Sequence, residues 1–107
     1  MAITSKAIVV DSLDADAVYT SSGTNGDAVT TMYFCNRSAG TTTFNLYLVP
    51  SGSTANTNNI VYSNKTITAG DTYIVDWEKL VLSNGDSIRA NANVGNAIVA
   101  TVSTIGV

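Results

Sequence analysis

The phrase TTTFNLYLVP, residues 41–50, alternates: Phe44, Leu46 and Leu48 fall on one side, Asn45 and Tyr47 on the other, and Pro50 closes the run. Alternation of this kind marks a strand with one buried face, and a proline, which cannot donate to a ladder, marks its end. The same period recurs in short runs at 6–10, 17–20, 29–36, 59–67, 72–77, 80–82, 87–92 and 97–103. Between them stand SSGTNGD, RSAG, PSGSTANTN, TAGD, SNGD and NVGN, rich in residues that tolerate positive φ or wire their own turns. No segment sustains apolar spacing of three and four, so helix beyond a turn or two is not expected. The pattern predicts an all-β chain, an antiparallel β-sandwich of jelly-roll or immunoglobulin-like type with about eight strands.

At 107 residues the chain suits a single sandwich domain over 1–107, large enough to bury a core without metals or disulfides. Thr, Ser and Asn contribute 15, 11 and 11 residues, while charged residues make up only 12%. A Thr-rich, weakly charged surface holds water less tightly than a Lys/Glu surface and costs less to bury against a partner. That composition suits assembly, and simple amino-acid bias explains it equally well. The net charge is −3, and the basic residues Lys6, Arg37, Lys65, Lys79 and Arg89 are scattered, so no nucleic-acid footprint is expected.

No signal-peptide pattern or run near ~20 apolar residues appears, so no membrane partner is expected and synthesis is placed in a cytoplasm. The acceptor patterns Asn36-Arg37-Ser38 and Asn64-Lys65-Thr66 then read as chance. Cys35, within MYFC, reads as a small core hydrophobe.

Histidine is absent and cysteine single, which removes Ser-His-Asp, Cys-His and thiolate or imidazole zinc arrangements. Carboxylates remain. Asp76 and Glu78 share one parity around Trp77, and Asp14 and Asp16 stand two apart without the oxygen-rich run of a calcium loop. These read as solvated strand rims. The Gly-Asp phrases at 70–71 and 85–86 read as turns, with Tyr73, Val75 and Trp77 inward after the first and Ile88, Ala90 and Ala92 inward after the second. No catalytic residue, cofactor or metal is expected. Tyr47, on the polar parity of its strand, is the candidate for stacking on a sugar, which keeps a carbohydrate-binding module as an alternative.

The stretch FCNRSAGTTTFNLYLVPSG, followed by NNIVYSNKTITAGDTYIVDWEKLVLSNGDSIRANAN, resembles a motif of small virion structural proteins of tailed bacteriophages, including those of cyanophages. The resemblance spans 32–103 and leaves 1–31 unmatched. It implies a β-sandwich of the virion with no catalytic residues to carry over. The expected function is a capsid decoration (cement) protein that binds the outer capsid surface and stabilises the head; a tail, neck or fibre-attachment component is the alternative. Expected partners are the major capsid protein or other virion proteins, and further copies of the chain in a homo-oligomer. Three contact regions are expected: an N-terminal arm over 1–6 with Ile3, Thr4 and Lys6; the turn 21–27 with Asn25; and the polar loop 51–59 with Ser51, Ser53, Asn56 and Asn58.

Overall fold

The computed structural model describes residues 3–10, 16–22, 25–75 and 80–106, with the backbone alone at 3–6, 16 and 80. Trp77, Asp76, Glu78, Lys79 and Asp14, weighed above, lie outside the described residues.

Nine strands are described: β1 (Ile3–Val9), β2 (Asp16–Thr20), β3 (Asp27–Asn36), β4 (Thr42–Val49), β5 (Ile60–Ile67), β6 (Thr72–Val75), β7 (Leu80–Leu82), β8 (Ser87–Ala92) and β9 (Ile98–Gly106). They form two antiparallel sheets packed as a β-sandwich. The first runs β1-β9-β3-β6, with β7 also pairing β3; the second runs β2-β8-β4-β5. The chain alternates between sheets through its first four strands, and the last two return between them: β8 slots between β2 and β4, β9 between β1 and β3.

Inward residues follow the period of two. Met32 and Phe34 of β3, Ile98, Ala100 and Val102 of β9, Phe44 and Leu46 of β4, and Ile88, Ala90 and Ala92 of β8 are all buried. Phe34 and Phe44 meet across the sandwich with ring centroids 4.5 Å apart and planes 22° apart, an offset stack that adds about 0.5–1.5 kcal/mol to the burial. Aromatic packing then runs outward: Tyr73 lies 6.3 Å from Phe44, Tyr62 meets Tyr73 edge-on at 5.6 Å, and Lys65 Nζ caps the Tyr73 ring at 4.6 Å. Tyr73 and Val75 thus take the inward parity expected of them.

Two expectations change. Ile3–Lys6, expected as an arm, pair with Ile105–Val102 of β9 as the first part of β1. The same alternation that suits a neighbour's edge suits the chain's own open one. Cys35 is not in the core: with Phe34 and Asn36 inward, period two puts it on the outer face of the first sheet, half-buried and paired with Thr72 and Val99.

Asn36 takes the inward place and is fully buried. Its side-chain nitrogen donates to the carbonyls of Gly40 (2.8 Å) and Ile67 (2.9 Å), and its oxygen accepts from Ser38 N (3.0 Å) and Ser38 Oγ (2.7 Å). All four hydrogen-bonding positions of the amide are used, which is what burial of such a group requires.

Candidate functional site

Three connections gather at one end of the sandwich: 21–26 between β2 and β3, 50–59 between β4 and β5, and 83–86 between β7 and β8. The last is a turn closed by Asp86 N donating to Ser83 O at 3.0 Å, with Gly85 at φ +92°. A positive φ at the third position, with a negative one before it, is type II geometry, and glycine adopts it without strain. Asp86 holds the end together. Its Oδ2 accepts from Ser83 N (3.0 Å) inside the turn, and its Oδ1 accepts from Ser51 N (2.9 Å) in the neighbouring loop. Ser21 N donates to Asp86 O at 2.8 Å, and Gly85 N donates to Ser21 O at 2.9 Å, so the third connection is tied in as well. At the opposite end Asp71 does the simpler job of holding its own turn, accepting from Thr72 N at 2.9 Å. The expected turn role of both Gly-Asp phrases holds.

The 50–59 loop is ordered by itself. Ser53 N returns to Pro50 O (3.0 Å) and Asn59 N to Asn56 O (3.1 Å). Asn56 accepts from Asn58 N (2.8 Å) and donates to Thr54 O (2.8 Å), while Asn59 accepts from Asn56 N (3.0 Å) and donates to the same Thr54 O (2.9 Å). Side chains here replace the backbone partners a strand would supply. Asn56 stands exposed on the loop as Ser51, Ser53 and Asn58 do, with Asn25 on the neighbouring connection, and its amide also holds the loop. Ile3 reaches the same end, because Ile3 and Ala28 both pair with Ile105. Thr4 and Lys6 stand further along the β1 edge, opposite Thr104 and Val102.

The residue that the sequence reading passed over is Asp27. It is buried at the start of β3 and accepts from Ser21 Oγ (2.7 Å) and the Tyr19 hydroxyl (2.9 Å). Burial pushes the Tyr19 hydroxyl above its ordinary value, the nearby Thr104 side chain opposes this, and the Asp27 carboxylate adds to the rise. The group clamps the β2 side of one sheet to β3 of the other. Its signal was present: Asn25-Gly26-Asp27 repeats the Asn-Gly-Asp of 84–86. Gly26, at φ +87°, also runs against the Leu82 carbonyl of β7, where a Cβ would collide with it.

The two outer faces of the sandwich differ. On the second sheet Asn45 Nδ2 donates to Asn91 Oδ1 (2.8 Å), Asn64 N donates to Asn45 Oδ1 (2.8 Å), and Tyr47 pairs in register with Arg89. On the first, Val9, Tyr33, Ile74 and Val81 are exposed and Cys35 is half-exposed. Among the described residues, no group of three His, Cys, Asp or Glu could hold a metal ion, and no helix is long and apolar enough to cross a membrane. Compared with protein families, curated proteins and solved structures, the chain matches none.

Proposed function

We propose that the chain is a non-enzymatic structural protein of a tailed-phage virion, a decoration protein that binds the outer surface of the capsid and stabilises the head. The observation that carries the reading is the preorganised loop end. Three connections are locked together through Asp86, and one of them presents exposed Ser and Asn side chains on a backbone that its own amides hold. A loop ordered before contact loses little entropy on binding, so uncharged polar groups that would bind weakly from a mobile loop can hold a partner.

The strand order supports the same reading at the level of fold. An immunoglobulin-type sandwich pairs its first strand with its second, whereas here β1 pairs β9 and the final strands return between the first four. We read this as a jelly roll, an arrangement that recurs in capsid proteins. That support is by analogy of fold. The sequence resemblance over 32–103 adds to it. In this role each copy lies across a junction between capsid subunits and adds contacts, of the order of 1,200–2,000 Å² for a standard interface, that resist outward pressure from packaged DNA.

Co-sedimentation with particles of the phage that encodes the chain tests this. The purified protein should pellet with heads, Ser53→Arg combined with Asn58→Arg should reduce binding, and Thr66→Lys, on exposed β5, should not. Wild-type protein that stays in the supernatant sinks the proposal. Binding restricted to tails would favour the tail, neck or fibre-attachment role. A carbohydrate-binding module is the second reading, favoured by the row that sets Tyr47 beside Arg89 and Asn45 beside Asn91. Glycan binding lost in Tyr47→Ala would establish it.

A further inference from the structure

We infer that Ser21, a residue too buried to touch a partner, is the positioning residue of the exposed 50–59 loop, and that it acts through the 83–86 turn. Ser21 is 1% exposed and follows directly on β2. Its hydroxyl and both its backbone groups are engaged. The hydroxyl donates to Asp27 Oδ2 at 2.7 Å, the amide donates to Asp86 O at 2.8 Å, and the carbonyl accepts from Gly85 N at 2.9 Å. The side chain thus fixes the end of β2 on a buried carboxylate of the other sheet, and the backbone of the same residue grips two consecutive residues of the turn.

Two contacts carry the position of the turn into the loop. Asp86 Oδ1 accepts from Ser51 N at 2.9 Å, and among the described residues this is the one hydrogen bond that ties 51–58 to anything outside 50–59. Gly85 also lies against Ser51, since a Cβ built on it would stand 2.6 Å from Ser51 Oγ. The loop's internal bonds set its shape; its tilt over the end of the sandwich is set where it is held from outside, and that hold runs through Asp86 to Ser21. Losing the Ser21 hydroxyl leaves the two backbone bonds to the turn possible but frees the residue that makes them from Asp27. Each weakened hydrogen bond shifts a local opening equilibrium by up to about tenfold.

Placement of the loop bears on binding only through the contact role proposed above, whereas its order is read in the purified full chain alone, so the two fail separately. Amide hydrogen exchange followed by NMR is the test. Ser21→Ala should speed exchange at Ser51 N and Gly85 N by up to about tenfold, while Ser53 N and Asn59 N, bonded inside the loop, keep their rates. Tyr19→Phe removes the other donor to Asp27 Oδ2 without touching the path to the turn, and should leave Ser51 N unchanged. In Asp86→Ala, where the path is cut, adding Ser21→Ala should do nothing further at Ser51 N. Should Ser21→Ala fail to fold, Ser21→Cys, close in shape but a weak donor, should give the same order of rates with a smaller rise. Ser51 N exchange that ignores the Ser21 substitutions, an equal rise in Tyr19→Phe, or a fully additive rise in the double variant would each overturn the assignment.

Discussion

At the scale of single residues, buried polar groups tie separate segments together: Asn36 reaches Gly40 and Ile67, and Asp27 takes Ser21 and Tyr19. Asn36→Ala would leave the carbonyls of Gly40 and Ile67 and the Ser38 donors without their buried partner, and should cost about 2–4 kcal/mol in urea denaturation. Gly26→Ala meets both a φ of +87° and the Leu82 carbonyl and should destabilise to a similar degree, about 2–4 kcal/mol. By contrast Gly70→Ala meets open space and pays for its φ alone. Tyr19 makes a pH prediction. Its folded pKa is raised by burial first and by Asp27 in addition, so the stability it contributes is present below the unfolded value of 10.0 and is lost as pH rises through the higher folded value. The difference in melting temperature between wild type and Tyr19→Phe should therefore shrink above pH 10.0; a gap that stays constant or widens contradicts the assignment.

At the scale of elements, the strands were legible because a half-buried strand writes its burial into alternate residues. Nearly every run predicted from alternation became a strand within a residue or three, and Ser87–Ala92 and Leu80–Leu82 kept their bounds. The exceptions have a common cause. A short, mostly polar run such as Ile3–Lys6 carries no sign of whether its edge is open or paired. Cys35 was misplaced because two adjacent residues, Phe34 and Cys35, are both apolar, and only the register decides which turns inward. The loop end was half legible: composition located the three connections, but not that Asn56 and Asn59 would spend their amides on the loop itself. Asn59→Ala should consequently speed hydrogen exchange over 54–59 while leaving β3 and β9 protected. Asp86→Ala releases Ser51 N and Ser83 N together, and should cost about 0.5–2 kcal/mol by analogy with a lost cap, with faster exchange in both connections.

At the scale of the whole molecule, β1 and β9 close the first sheet by joining the two ends of the described chain. Removing 1–6 strips most of β1 from β9 and exposes an unpaired edge. The truncated chain should melt several degrees lower, about 4–8 °C per kcal/mol lost in a domain of this size, and should aggregate more readily; an unchanged melting temperature would restore the free arm. The sandwich presents three surfaces of different character: a locked polar end, an amide-laced face with Tyr47 and Arg89, and a face on which Tyr33, Ile74 and Val81 are exposed. In the proposed role such surfaces would serve the chain's neighbours in a particle; the carboxylates of Asp27, Asp71 and Asp86 are each engaged in a turn or a clamp. The most direct test of the proposed role is the copy number of this chain in purified particles of a phage whose genome encodes it. Hundreds of copies per head agree with a decoration protein spread over the capsid lattice; six or twelve copies, or none, contradict it.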